Sequence, residues 1–193
     1  MGREEEISRI RREVKNCRKC GLWKTRKNPV PGEGPLLPKV MFIGEAPGFN
    51  EDAKGRPFVG RAGEVLDNAL EAIGLERKEI YITNVLKCRP PGNRDPKPEE
   101  IRNCTPYLDR QISLLRPGII VTLGNFATSY ILEKFGFKAD GIGKVHGKIF
   151  GVSNLLIRAK ILPMYHPAVI LRNSNLFENF MEDFRVLKTL MQK

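Results

Sequence analysis

The sequence predicts an α/β fold: a central, mainly parallel, four-stranded sheet flanked by helices on both faces, in a single domain. Three features lead to that class. Short continuous apolar runs stop at glycine or a polar residue, the segments between them carry helical periodicity, and the length suits one core. At 193 residues, 41% hydrophobic and 28% charged, the chain can bury one core and is too short to divide comfortably into two, so residues 1–193 are taken as one domain.

Ile7, Ile10 and Val14 recur at helical spacing and predict an amphipathic helix leading into Cys17-Arg18-Lys19-Cys20. The Pro- and Gly-rich stretch Asn28 to Pro38 is expected to be irregular. Val40-Met41-Phe42-Ile43, ending at Gly44, fits a buried parallel strand. From Ala62 onward, Val65, Leu66, Ala69, Leu70 and Ile73 predict a helix that Gly74 stops. Ile80 to Leu86 is expected as the second strand. The loop Arg89 to Pro98 follows, and Thr105-Pro106 reads as the N-cap and first position of a helix burying Leu108, Ile112 and Leu115. Ile119 to Leu123 is the third strand, followed by Gly124 and a helix through Leu132. After a more irregular region, Leu155 to Met164 is expected as the fourth strand and Leu176 to Met191 as the closing helix. In such a sheet, ligands bind beyond the carboxyl ends of the strands. The segment Gly44-Glu45-Ala46-Pro47-Gly48, Asn84 and His166-Pro167 all fall at or near such ends, so one pocket can collect them.

Thirty-three Lys and Arg against 22 Asp and Glu give a formal charge of +11 and a pI near 9.7, which suits a polyanionic partner, nucleic acid first. Met1 to Val14 lacks the apolar core of a signal peptide, and no stretch approaches the ~20 apolar residues of a membrane span. A cytoplasmic protein with no membrane partner is therefore expected. There thiols stay reduced, so four cysteines read as ligands rather than two disulfides. Cys17-x-x-Cys20 supplies a close pair, while Cys88 and Cys104 tie the N-terminal arm to the middle of the sheet. The spacing admits both zinc and an iron–sulfur cluster.

Taken together, Gly44-Glu45-Ala46-Pro47-Gly48, Gly55-Arg56-Pro57-Phe58-Val59-Gly60, Thr83-Asn84 with Lys87-Cys88-Arg89-Pro90-Pro91, and His166-Pro167-Ala168 closely resemble the thermostable, iron–sulfur family four of the uracil-DNA glycosylase superfamily. The resemblance runs in order along nearly the whole chain. It implies a structural [4Fe–4S] cluster on Cys17, Cys20, Cys88 and Cys104, and a monofunctional DNA N-glycosylase of base excision repair acting on uracil-containing DNA. A sliding-clamp partner and a monomeric state accompany that reading, though no residue pattern specifies either.

The resemblance also implies roles. Phe58 is the stacking aromatic, and stacking of this kind contributes ~1–3 kcal/mol per base. Asn84 is the selecting amide, its carbonyl accepting from uracil N3–H and its NH₂ donating to O4. His166 donates to the charge developing on O2, for which neutral imidazole suffices. Glu45, beside Ala46 in the uracil-binding group, sits where a related family carries a water-handling aspartate; its longer side chain suits water positioning or oxocarbenium stabilisation. Glu51 is a candidate for excluding the thymine methyl. Val169 to Asn173 corresponds to the superfamily's DNA-penetrating loop, with Leu171 entering the gap left by the flipped base and Arg172 meeting phosphate. Arg56, Arg61, Arg89 and Arg94 are further phosphate candidates, and His146 is expected to be structural.

Three other readings compete. A superfamily member acting on hypoxanthine or another deaminated base is disfavoured by the Asn84 amide, which fits uracil's edge. A metal-bearing nucleic-acid-binding module without catalysis is disfavoured by pocket residues at several strand ends. A covalent uracil-DNA trap carries a histidine-containing loop after Gly-Arg-Pro-Phe, and Val59-Gly60-Arg61-Ala62-Gly63 has no histidine.

Overall fold

Alternate residues of the central strands feed two cores, one on each face of the sheet. In the computed structural model, which describes residues 2–154 and 157–192, the strands are β1 (Val40–Gly44), β2 (Tyr81–Asn84), β3 (Ile119–Leu123), β4 (Phe150–Ser153) and β5 (Arg158–Met164). They form one sheet in the order β2-β1-β3-β5-β4. All neighbours are parallel except β4 and β5. The helices are α1 (Arg3–Asn16), α2 (Phe49–Lys54), α3 (Arg61–Ala72), α4 (Pro98–Leu115), α5 (Asn125–Lys134), α6 (Ile142–Val145), α7 (Pro167–Ile170) and α8 (Phe177–Met191). None of the described helices is long and apolar enough to cross a membrane.

The two-residue period of a strand sorts the core. Met41, Ile43, Tyr81, Ile120 and Ile161 join Ile7, Ile10 and Val14 of α1, Leu108 and Ile112 of α4, and Ile131 of α5. Val40, Phe42, Ile82, Val121 and Leu162 join Leu66 and Leu70 of α3 and Phe180, Phe184 and Leu187 of α8. Each such side chain, fully buried, stabilises the fold by roughly 1.5–3 kcal/mol. Burial on both faces explains why the central strands read as unbroken apolar runs.

The structure departs from the expected outline in three places. The sheet has a fifth strand: β4 lies in the region expected to be irregular and pairs antiparallel with β5 from Phe150↔Ile161 to Ser153↔Arg158. It is a four-residue edge strand with a glycine in it and only Val152 buried, so it carries no apolar run. Of the expected fourth strand, Leu155 and Leu156 lie outside the described residues, and pairing begins at Arg158. The third departure is α4, which starts two turns before Thr105-Pro106. Pro98 occupies its first turn, the Glu100 carboxylate accepts from the Lys97 N–H at 2.8 Å, and Pro106 sits inside the helix. The proline that marks the helix start is therefore Pro98.

From β1 the chain winds outward to β2, then crosses back to place β3 on the other side of β1. The carboxyl end of β1 is thus a topological switch point, where a doubly wound sheet leaves a crevice.

Candidate active site

That crevice is a cavity of about 470 Å³, walled by residues that follow β1, β2 and β5 together with the segment around Phe58. Asn84 ends β2 opposite Gly44, is 1% exposed, and its side-chain oxygen Oδ1 is buried without a hydrogen-bond partner. Such an orphaned acceptor costs roughly 1–3 kcal/mol, which a ligand donating to it would return. A Cβ at Gly44 would collide with that oxygen and come within 2.7 Å of Phe58 Cζ, so the glycine lets amide and ring close on the same space.

Phe58 adopts φ 48°, the left-handed region that a bulky residue enters only when its surroundings impose it. Arg77 imposes it from one side, donating to the carbonyls of Pro57 and, at 3.1 Å, Phe58, while pairing with Asp67 at 2.9 Å. Gly63 permits it from the other, because a Cβ there would collide with the Phe58 carbonyl. Glu51 fixes the next residues: one carboxylate oxygen accepts from Val59 N and Gly60 N, both at 2.9 Å, and the other from Gly48 N at 3.1 Å. Glu51 lines the cavity, but its carboxylate is committed to joining the Gly44–Gly48 and Gly55–Gly60 loops.

His166 caps α7 and accepts from Ala168 N at Nδ1, 3.1 Å. An accepting Nδ1 carries no proton, so in the neutral ring the proton is on Nε2. Burial pushes the imidazole down to about 4, which keeps it neutral at physiological pH. Its ring lies 5.6 Å from that of Phe58. Glu45 faces the same cavity; burial, with the nearby Asp95 charge, pushes its carboxyl up to about 7. Ala46, Arg61 and Arg172 also line the cavity, and among the described residues neither arginine is paired with a carboxylate. Leu171 stands beside Arg172, 43% exposed.

A second, small cavity is lined by Cys17, Cys20, Cys88 and Cys104. Among the described residues no three His, Cys, Asp or Glu side chains converge closely enough to hold one metal ion. A tetrahedral single-ion site, with metal–sulfur bonds near 2.3 Å, needs its sulfurs about 3.8 Å apart. Four cysteines lining one cavity supply the donor set of a cluster whose irons each take one thiolate. Two donors face the sulfurs. Arg26 Nη1 lies 2.9 Å from Cys88 Sγ, and Lys87 N donates to Cys104 Sγ at 3.2 Å.

Lys87 joins the two cavities. Its fully buried amino group, which burial pushes down to about 7, donates to Asn84 O at 2.8 Å, Thr83 Oγ1 at 2.6 Å and Gln111 Oε1 at 2.8 Å. Asn84 of the first cavity and Lys87, which precedes Cys88 and donates its N–H to Cys104 Sγ, are thereby one hydrogen-bonded unit.

The family model described as the uracil DNA glycosylase superfamily matches residues 31–185. The chain belongs to the uracil DNA glycosylase superfamily. It is similar along nearly its whole length to enzymes named type-4 uracil-DNA glycosylases. That of Saccharolobus solfataricus is 49% identical over 95% of this chain and 86% of the relative. The Archaeoglobus fulgidus enzyme is 47% identical over 98% and 95%, and that of Thermotoga maritima 41% identical over 99% and 97%. The superfamily match contains every residue of the first cavity, and Cys17 and Cys20 precede it.

Of the residues expected from the superfamily motifs, Glu45, Ala46, Glu51, Phe58, Arg61, Asn84, His166 and Arg172 are brought to one cavity. Arg94 also lines that cavity, where Glu100 holds it at 2.9 and 2.6 Å. Arg56 is instead held by Glu33 at 2.8 and 2.9 Å, and Arg89 donates to Asn93 at 2.6 Å. His146 is set apart, with Nδ1 3.0 Å from buried Asp183 and its ring 4.5 Å from that of Tyr165. Sequence reasoning missed Asp95, Arg77 and Lys87. Asp95 sits in a proline-rich loop whose path depends on the Arg94–Glu100 pair, and the other two act on backbone carbonyls, for which no local pattern exists.

Proposed function

We propose that this chain is a uracil-DNA glycosylase: it takes uracil flipped out of DNA, hydrolyses the N-glycosidic bond, and leaves free uracil and an abasic site. The observation that carries the reading is the buried, unpartnered Oδ1 of Asn84 beside Phe58. Uracil offers an N3–H to that oxygen and an O4 to the adjacent NH₂, whereas cytosine presents the inverse pattern. Phe58 grips the face of the base, and the amide reads its edge.

Bond breaking leaves negative charge on uracil O2 and positive charge on the sugar. His166, held neutral with its proton on Nε2, donates to O2 without a prior protonation step. The Glu45 carboxylate opposes the sugar's charge and orders the attacking water. Arg61 and Arg172 contact phosphates at the rim, and Leu171 fills the gap left in the stack.

The cysteine cavity is the site of a [4Fe–4S] cluster on Cys17, Cys20, Cys88 and Cys104. The shared lining by four cysteines and the N–H groups aimed at two sulfurs support it. Bound there, the cluster cross-links the arm after α1 to the β2 loop and α4.

The test is release of free uracil from a labelled oligonucleotide carrying one uracil, with no metal added, followed by alkaline cleavage of the abasic site. Cleavage at uracil and not in the matched thymine strand is expected. An iron-loaded preparation that binds the oligonucleotide and releases nothing would leave a binding module.

A further inference from the structure

At the mouth of the uracil cavity, the first residue of α2 exposes an aromatic ring to water. Phe49 lines the cavity and is 57% exposed. Two cations attend it. The Arg89 guanidinium lies 5.2 Å from the ring centroid and the Lys27 ammonium 5.7 Å. Neither is placed by chance. The Arg89 side chain is braced by Asn93, and the Lys27 backbone is held by buried Asp52 of α2, which accepts from its N–H at 2.9 and 3.1 Å. A half-exposed aromatic with two cations over its ring, in a chain of net charge +11, has the chemistry of a nucleotide platform: apolar ring surface for a base and positive charge for the phosphates beside it.

Resting on the glycosylase reading, we propose that Phe49, Arg89 and Lys27 form a stacking subsite for the base next to the flipped uridine, and that this subsite selects single-stranded DNA. In a duplex the neighbouring base stays stacked on its own helix and paired with its complement, so it cannot turn onto Phe49. In a single strand it is free to do so. The platform therefore favours uracil in unpaired stretches, independently of the pocket that reads the uracil edge.

The experiment compares the cluster-loaded wild-type protein with Phe49→Ala and Phe49→Trp on single- and double-stranded oligonucleotides carrying one uracil. In parallel it follows the fluorescence of a 2-aminopurine placed next to a non-cleavable 2′-fluoro-2′-deoxyuridine in a single strand. Phe49→Ala is expected to raise the single-strand KM roughly five- to a hundredfold relative to the duplex KM, in line with the loss of one base–aromatic stack. Quenching of the 2-aminopurine should disappear in that variant and return in Phe49→Trp. An active enzyme whose Phe49→Ala variant keeps both the KM ratio and the quenching would overturn the proposal and assign the patch to a partner other than DNA. A wild-type protein that releases no uracil would instead overturn the glycosylase reading.

Discussion

Glu45 and His166 occupy one cavity, yet burial moves their ionisations apart in a useful direction. Burial disfavours charge, so it raises the carboxyl of Glu45 to about 7 and lowers the imidazole of His166 to about 4. In the proposed mechanism the carboxylate form of Glu45 is the active one, and it is lost as pH falls through 7. kcat/KM should therefore rise with pH to a plateau above pH 7–8, with no second acid limb from His166 above pH 5. Asp95→Asn removes the like charge that helps to raise Glu45, so the limb should move to lower pH, and Glu45→Gln should abolish it. A pH profile that stays flat through 7 in the wild type would remove Glu45 from the chemistry. His166→Ala deletes the donor to O2, and single-turnover kinetics should show a rate lower by about two to three orders of magnitude, as for loss of one oxyanion donor. Lys87→Met leaves three buried acceptors without their donor. A cost of about 2–4 kcal/mol in urea denaturation is expected, together with weaker uracil inhibition, because Asn84 loses the group that holds its carbonyl.

The elements that aim these side chains differ in how clearly the sequence announces them. β1 and β3 are buried on both faces, so their apolar runs identify them outright; β2 stops at Asn84, two residues before the expected end, because Val85 and Leu86 turn to bond the carbonyls of Gly44 and Glu45. The short α2 lies within one motif and has too few turns to show a period, and β4 hides because an edge strand needs backbone partners more than apolar side chains. The site itself was legible through its motifs, since each falls at a strand end that the sheet brings together. What holds the motifs in register was not legible: Glu51 bridging two loops, Arg77 on the Phe58 carbonyl, and Lys87 behind Asn84 are contacts that exist only after folding. Gly44 tests the element scale. Gly44→Ala at the end of β1 pushes on the movable ends of Asn84 and Phe58, so kcat/KM should fall about a hundredfold or more while far-UV circular dichroism is retained. Full activity in Gly44→Ala would mean that amide and ring do not share the base.

At the scale of the whole molecule, charge and the cysteine cavity bind distant parts to one task. The excess of cations makes DNA affinity salt-dependent, and because Arg61 and Arg172 have no carboxylate partner among the described residues they should carry part of it. For single strands, Arg172→Ala should reduce the slope of log K against log salt by about 0.7. The four cysteines line one cavity between the arm after α1, the loop after β2 and α4, and Asp52 of α2 in turn holds Lys27 and Asn28 of that arm. Cys104→Ser should lose iron and absorbance near 400 nm and lower the thermal midpoint by roughly 10 °C, the effect of losing a few kcal/mol in a chain of this size. The most direct test of the central claim, that a buried amide reads uracil, is the activity of Asn84→Asp on strands carrying a single uracil or a single cytosine. The account predicts a loss of at least about a hundredfold on uracil and a shift of preference toward cytosine, because a carboxylate accepts from cytosine's amino group and cannot donate to O4. Undiminished, uracil-selective cleavage by that variant would contradict it.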